Sequence, residues 1–165
     1  MSERGGKVRS GIQPGRYRAD FDDGVVVFLI GMRFNAIWRI DQWLPVFLAM
    51  PKMLRELGRN RNLGLLGYEN WFGWRQVMVM QYWRDMDHLM AYATSRDNEH
   101  LPAWTAFSRR ARSAPSVGIW HKAYHVHPET SHIIYRNMPP FGMGKAAFGM
   151  GKAAGEREAE PAATA

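Results

Sequence analysis

G-V-V-V-F-L-I-G-M at 24–32 is a nearly continuous apolar run, rich in β-branched residues and without polar alternation. Such a run predicts a strand covered on both faces, so something must lie on each side of the sheet that contains it. The period then changes. Ile40, Trp43, Leu44, Phe47, Pro51, Leu54 and Leu57 recur at helical spacing, with Asp41 near the start. Pro51 lies inside this pattern and is expected to kink or divide the helix. A turn over 58–62 leads to two strands, 63–72 and 75–84, joined as a hairpin around Gly73-Trp74. Asp85 caps a short helix over 86–94, and residues 96–98 break it. A second helix, about 99–112, carries Leu101, Trp104, Phe107 and Ala111 on one face.

S-V-G-I-W-H-K-A-Y-H-V-H at 116–127 reads as a strand. Its period of two puts Val117, Ile119, His121, Ala123, His125 and His127 on one face. Trp120, Lys122, Tyr124 and Val126 take the other. P-E-T-S at 128–131 turns the chain into a last strand over 132–137. The order β-α-β-β-α-β with an extra C-terminal strand is the ferredoxin-like α+β arrangement, an antiparallel sheet with helices on one face. The doubly covered strand then needs a second cover, most simply the sheet of another subunit. This predicts a homodimer with sheets packed face to face.

Around the domain at 21–140 lie a basic extended arm, 1–20, and a segment, 141–165, that opens with F-G-M-G-K-A-A twice in succession. The residues beyond the repeat are compositionally biased and expected to be disordered. G-M-G-K lacks the G-x-x-x-x-G-K-[ST] spacing and a preceding buried strand, so it is not read as a phosphate loop.

The net charge of +7 suggests a nucleic-acid partner until it is located. Residues 1–18 carry +4, residues 19–141 only +3, and the remainder cancels. The folded part is mildly basic, and its one cluster, Arg109-Arg110-Ala111-Arg112, suits a solvated helix end. The absence of cysteine removes thiolate metal sites, Cys nucleophiles and thiolate-ligated haem. Seven Trp and eleven Met point to a bulky, soft interior or an apolar cavity. No apolar run reaches the ~20 residues of a transmembrane helix, and no signal-peptide pattern is present. The expectation is a cytoplasmic protein.

The stretches V-V-F-L-I-G-M-R-F-N (26–35), W-L-P-V-F-L-A-M-P-K-M-L-R-E-L (43–57), H-L-P-A-W-T-A-F (100–107), V-G-I-W-H (117–121) and N-M-P-P-F-G-M-G (137–144) resemble a family of small monooxygenase-like proteins. That family is related to the antibiotic biosynthesis monooxygenases, and the resemblance spans about residues 12–146. It implies a dimeric α/β barrel. Relatives oxidise hydrophobic or polycyclic natural products, some without a cofactor and some with haem, and some members are associated with terpenoid tailoring. One departure is Lys122, which stands where the family pattern has an acidic residue.

An oxygenase of this kind needs an apolar cavity and a few orienting polar groups. Without a cofactor it must also form a substrate carbanion or enolate that passes an electron to dioxygen. A neutral histidine suits the proton abstraction, which makes His100 or His121 the natural base. Trp120, Gln81 or Asn35 are possible donors to the oxyanion. His100 shares a helix face with Trp104 and Phe107, and His88 shares one with Tyr92. If haem is used, His100 is the best axial ligand.

No metal site is expected. His121 and His125 are about 13 Å apart along a strand, and His125 and His127, about 7 Å apart, adjoin an exposed turn. His121 is expected to be buried, with a partner from the helix that bears His100. The expected function is monooxygenation of a hydrophobic, natural-product or terpenoid-like molecule by a His base or a His-ligated haem. The alternative is a non-catalytic protein of the same fold that binds haem or a small hydrophobe. Nucleic-acid binding through the basic arm comes third.

Overall fold

The computed structural model describes residues 11–19, 21, 23–95 and 115–149. The predicted helix near 99–112, with His100, Trp104, Phe107 and the arginine cluster, lies outside the described residues. β2 (Val25–Phe34), β3 (Leu65–Phe72), β4 (Gln76–Trp83) and β5 (Val117–Val126) form one antiparallel sheet in the order β3-β4-β2-β5. With α1 (Ile40–Arg59) and α2 (Met86–Thr94) inserted between them, this is the ferredoxin-like fold. No helix among the described residues is long and apolar enough to cross a membrane.

Alternation along the strands sorts the core into two faces. On the first, Val26 and Trp83 meet Leu57 of α1 and Leu89 and Tyr92 of α2, and all five are buried. On the second, Val25 and Tyr82 meet Ala19, Phe21, Met143 and Ala146. The Val25–Val26 end of β2 is therefore covered on both sides, in keeping with its apolar run.

The second cover differs from the expected one. At the Val25 end it comes from the chain itself and not from another subunit. β1 (Gln13–Arg18), part of the supposed free arm, pairs antiparallel with β6 (Ile134–Met138) as a separate ribbon. Helix α3 (Gly142–Gly149), made largely from the first F-G-M-G-K-A-A copy, lies on the same side. Helices thus occupy both faces. α3 is fastened at its start, where Gly142 N donates to Glu69 Oε1 at 2.7 Å and Gly144 N donates to Tyr135 OH at 3.1 Å. Gly142 has φ +56° and lies close to the Tyr82 hydroxyl, so a side chain there meets both strain and crowding.

α1 is not divided at Pro51. It is one continuous helix of 20 residues with Pro45 and Pro51 inside it. Each proline removes only one backbone donor. Packing on both sides of Pro51, by Trp43 and Phe47 before it and Leu54 and Leu57 after it, holds the helix together.

Candidate active site

Only the C-terminal part of α1 is seated, with Met53, Leu54 and Leu57 buried. Towards its N-terminus Ile40, Leu44 and Leu48 form an exposed i, i+4, i+8 stripe, and the bulky Trp43, Phe47 and Met50 hold the backbone off the sheet. The gap between helix and sheet is a cavity of about 570 Å³. Its floor comes from the first face: Ile30 and Met32 of β2, Val77 and Val79 of β4, and Ile119 of β5. The side formed by edge strand β3 supplies Tyr68, Asn70 and Phe72. Residues of α1 between Pro45 and Arg55, all but Leu48 and Lys52, make the roof. Apart from Tyr68, Asn70 and Arg55, the described lining is apolar residues and one glycine, with Met32, Met50 and Met53 among them. It can hold a hydrophobic molecule of drug-like size.

Gln81 belongs to the same face, directly across from Phe28 in the sheet register. It is 5% exposed, and its Oε1 accepts from Trp83 Nε1 at 2.9 Å. That bond fixes the amide so that Nε2 points at Met50 Sδ, 4.0 Å away, under the cavity roof. A thioether is a weak acceptor, so this N–H pair remains available to a stronger one.

His121 also projects from the first face, opposite Ile30 and two residues beyond Ile119. Its ring lies 5.8 Å from that of Phe28. It flanks the cavity but is exposed, not buried as expected, because β5 is an edge strand.

Trp120 points the other way, over Gly31, where any Cβ would overlap its ring. The sheet separates it from Gln81 and the cavity. Asn35 is committed elsewhere, since its Nδ2 donates to Pro115 O at 2.9 Å.

His88 and Tyr92 do not act together. His88 Nδ1 sits 2.7 Å from Asp85 Oδ2, and the Asp85 carboxylate also caps α2 through His88 N. That backbone N–H is the main reason the Asp85 carboxyl is held below its ordinary value. Tyr92 OH donates to Glu56 Oε2 at 2.8 Å. His125 and His127 are exposed, with ring centroids 5.4 Å apart.

Of the sequence-predicted groups, Gln81 and His121 are thus brought to the cavity's surroundings, and His100 lies outside the described residues. The described lining holds no histidine, so it offers haem no nitrogen ligand. Sequence reasoning did not single out Tyr68, Asn70 and Arg55. Alternation along 65–72 was the available signal for the first two, and the 47, 51, 55 row of α1 for the third.

Several solved structures share the general course of the chain. SnoaB, a cofactor-independent oxygenase from Streptomyces nogalater, is 11% identical over 62% of this chain and 92% of its own, with a TM-score of 0.45. A dimeric ferredoxin-like protein from Bacteroides fragilis is 12% identical over 64% and 100%, with a TM-score of 0.45. Rv0793 from Mycobacterium tuberculosis is 13% identical over 61% and 93%, with a TM-score of 0.43. Likeness of this degree assigns no chemistry to the present chain. Among curated proteins none matches significantly. A family model does match, across residues 25–143, from the doubly covered strand to the start of α3, and the chain belongs to the family it describes, Monooxygenase af470-like.

Proposed function

We propose that the protein is a monooxygenase that takes a hydrophobic small molecule into the cavity between α1 and the sheet. The observation that carries this reading is the apolar cavity of about 570 Å³ within the segment matched by the monooxygenase family. His121 at the edge, or His100, withdraws a proton from an acidic C–H. The Gln81 amide, held by Trp83, steadies the resulting enolate oxygen. The enolate reduces dioxygen: a CH2 group becomes C=O, one oxygen atom enters the product and the other leaves as water. A neutral imidazole is suited to that proton transfer, and an amide N–H to the oxyanion.

Oxygen uptake with anthrone, a tricyclic ketone with an acidic CH2, tests the reading. Turnover above buffer that is lost in His100→Ala or in His121→Ala supports it. Unchanged turnover in both variants would sink the site assignment.

The lack of histidine in the described lining favours a second reading, a non-catalytic carrier of small hydrophobes. No oxygen uptake together with tight binding of a neutral naphthalene probe would select it. A Soret band on added haem, lost in His100→Ala, would select haem instead.

The proposal includes a homodimer. β2 and β5 leave Leu29, Trp120 and Tyr124 beyond the reach of α3 on the second face, with Tyr124 50% exposed. Sedimentation equilibrium showing a monomer at micromolar concentration would refute that part.

A further inference from the structure

Resting on the reading of the cavity as a ligand site, we propose that it selects a molecule with an apolar body and one oxyanion, a carboxylate or sulfonate, and that Arg55 reads the anion. Arg55 is the sole charged side chain among the described residues that line the cavity. It is exposed and makes no ion pair with any described residue. The neighbouring acid, Glu56, turns to the other side of α1, where it accepts from Tyr92 of α2.

Helical spacing places Arg55 in a row with Phe47 and Pro51. All three line the cavity, and the row lies on the opposite flank of α1 from Glu56, towards edge strand β3. There Tyr68 and Asn70, one alternation apart, add a phenol and an amide. The polar groups of the lining thus come from one helix flank and one strand, and the other lining side chains are apolar. Such a division suits a ligand whose body displaces water from the methionine-rich interior while its charged end stays at the rim. Arginine presents a planar fork of donors that matches an oxyanion in two-point contact. No carboxylate lines the cavity among the described residues, so a cationic end would meet no charged partner there.

Two probes separate the anion from the body. 8-Anilinonaphthalene-1-sulfonate and N-phenyl-1-naphthylamine share one skeleton and differ by the sulfonate. Each is titrated by fluorescence against the full chain and its variants. Arg55→Met is expected to weaken the sulfonate probe about two- to fivefold, the range for a charged contact at a partly exposed rim. It should leave the neutral probe unchanged. Arg55→Lys, which keeps the charge and loses the fork, should fall between. Lys52→Met, an exposed cation of the same helix that does not line the cavity, should leave both probes unchanged.

Equal affinity of wild type and Arg55→Met for the sulfonate, or a parallel loss of both probes, would overturn the role of Arg55. Ala49→Trp fills the cavity and should weaken both probes. If the neutral probe binds Ala49→Trp as it binds wild type, the reading of the cavity itself fails, and the role of Arg55 with it.

Discussion

On the first face of the sheet, Leu57, Leu89 and Tyr92 close over Val26 and Trp83 at one end, while at the other α1 stands clear and leaves about 570 Å³ open. On the second face, Met143 and Ala146 of α3 join Val25, Tyr82, Ala19 and Phe21 in one buried cluster. The covering elements explain the difference. α3 brings Gly142 to the Tyr82 hydroxyl of the sheet and Gly144 against the Tyr135 ring of the β1-β6 ribbon, so its backbone fits closely between the two. α1 presents Phe47, Met50 and two prolines, which cannot interdigitate as closely over Ile30 and Met32. Small residues make the sealed face, and bulky ones of irregular shape make the cavity.

The largest test of this contrast is Trp83→Ala. The indole is 1% exposed and also holds Gln81, so chemical denaturation should show a loss of about 3–5 kcal/mol. A loss below ~1 kcal/mol would mean that the sealed end does not anchor the fold. Next comes a matched pair. Ala146→Leu inserts methylenes into the tight face and should cost about 1–3 kcal/mol. Ala49→Leu inserts the same atoms into the open one and should cost less than ~1 kcal/mol. Equal losses would erase the distinction.

A pH effect follows in size. Burial, and then the Glu69 carboxylate, push the Tyr82 phenol above its ordinary value of 10.0. The folded chain keeps a proton that the unfolded chain loses above that value. This contribution is therefore complete below pH 10.0 and declines as pH rises, at up to ~1.4 kcal/mol per pH unit. Tyr82→Phe should flatten the decline in denaturation midpoints between neutral and alkaline buffer, and an identical slope would refute it. The smallest effect on stability belongs to Phe72→Ala. Phe72 is 73% exposed at the cavity edge, so unfolding should shift by less than ~0.5 kcal/mol. The affinity for N-phenyl-1-naphthylamine should nevertheless fall, and unchanged affinity would remove Phe72 from the site.

Much of the frame was legible in the chain because it rests on periodicity. The run at 24–32, the alternation at 116–127 and the helical spacing from Ile40 to Leu57 each reflect a contact made by many residues at once. The face on which His121 and Ile119 project, and Trp120's place on the other, follow from the same alternation. His121's exposure was not legible, since period two gives a residue's face but not whether its strand lies at the edge. Nor was the continuity of α1 through Pro51, where cooperative packing outweighs one lost backbone bond.

What the sequence determined by itself, then, is local in origin: which segments are strands or helices, which residues share a face, and the βαββαβ order that makes the fold ferredoxin-like. Tertiary structure alone decided what covers each face. The arm's pairing with β6, α3's attachment at Glu69 and the gap under α1 depend on distant groups meeting. Arg55 becomes a rim residue only because the helix that carries it is held off the sheet by its own bulk. Shape complementarity between remote segments is a property of volumes in contact, and no period along the chain records it.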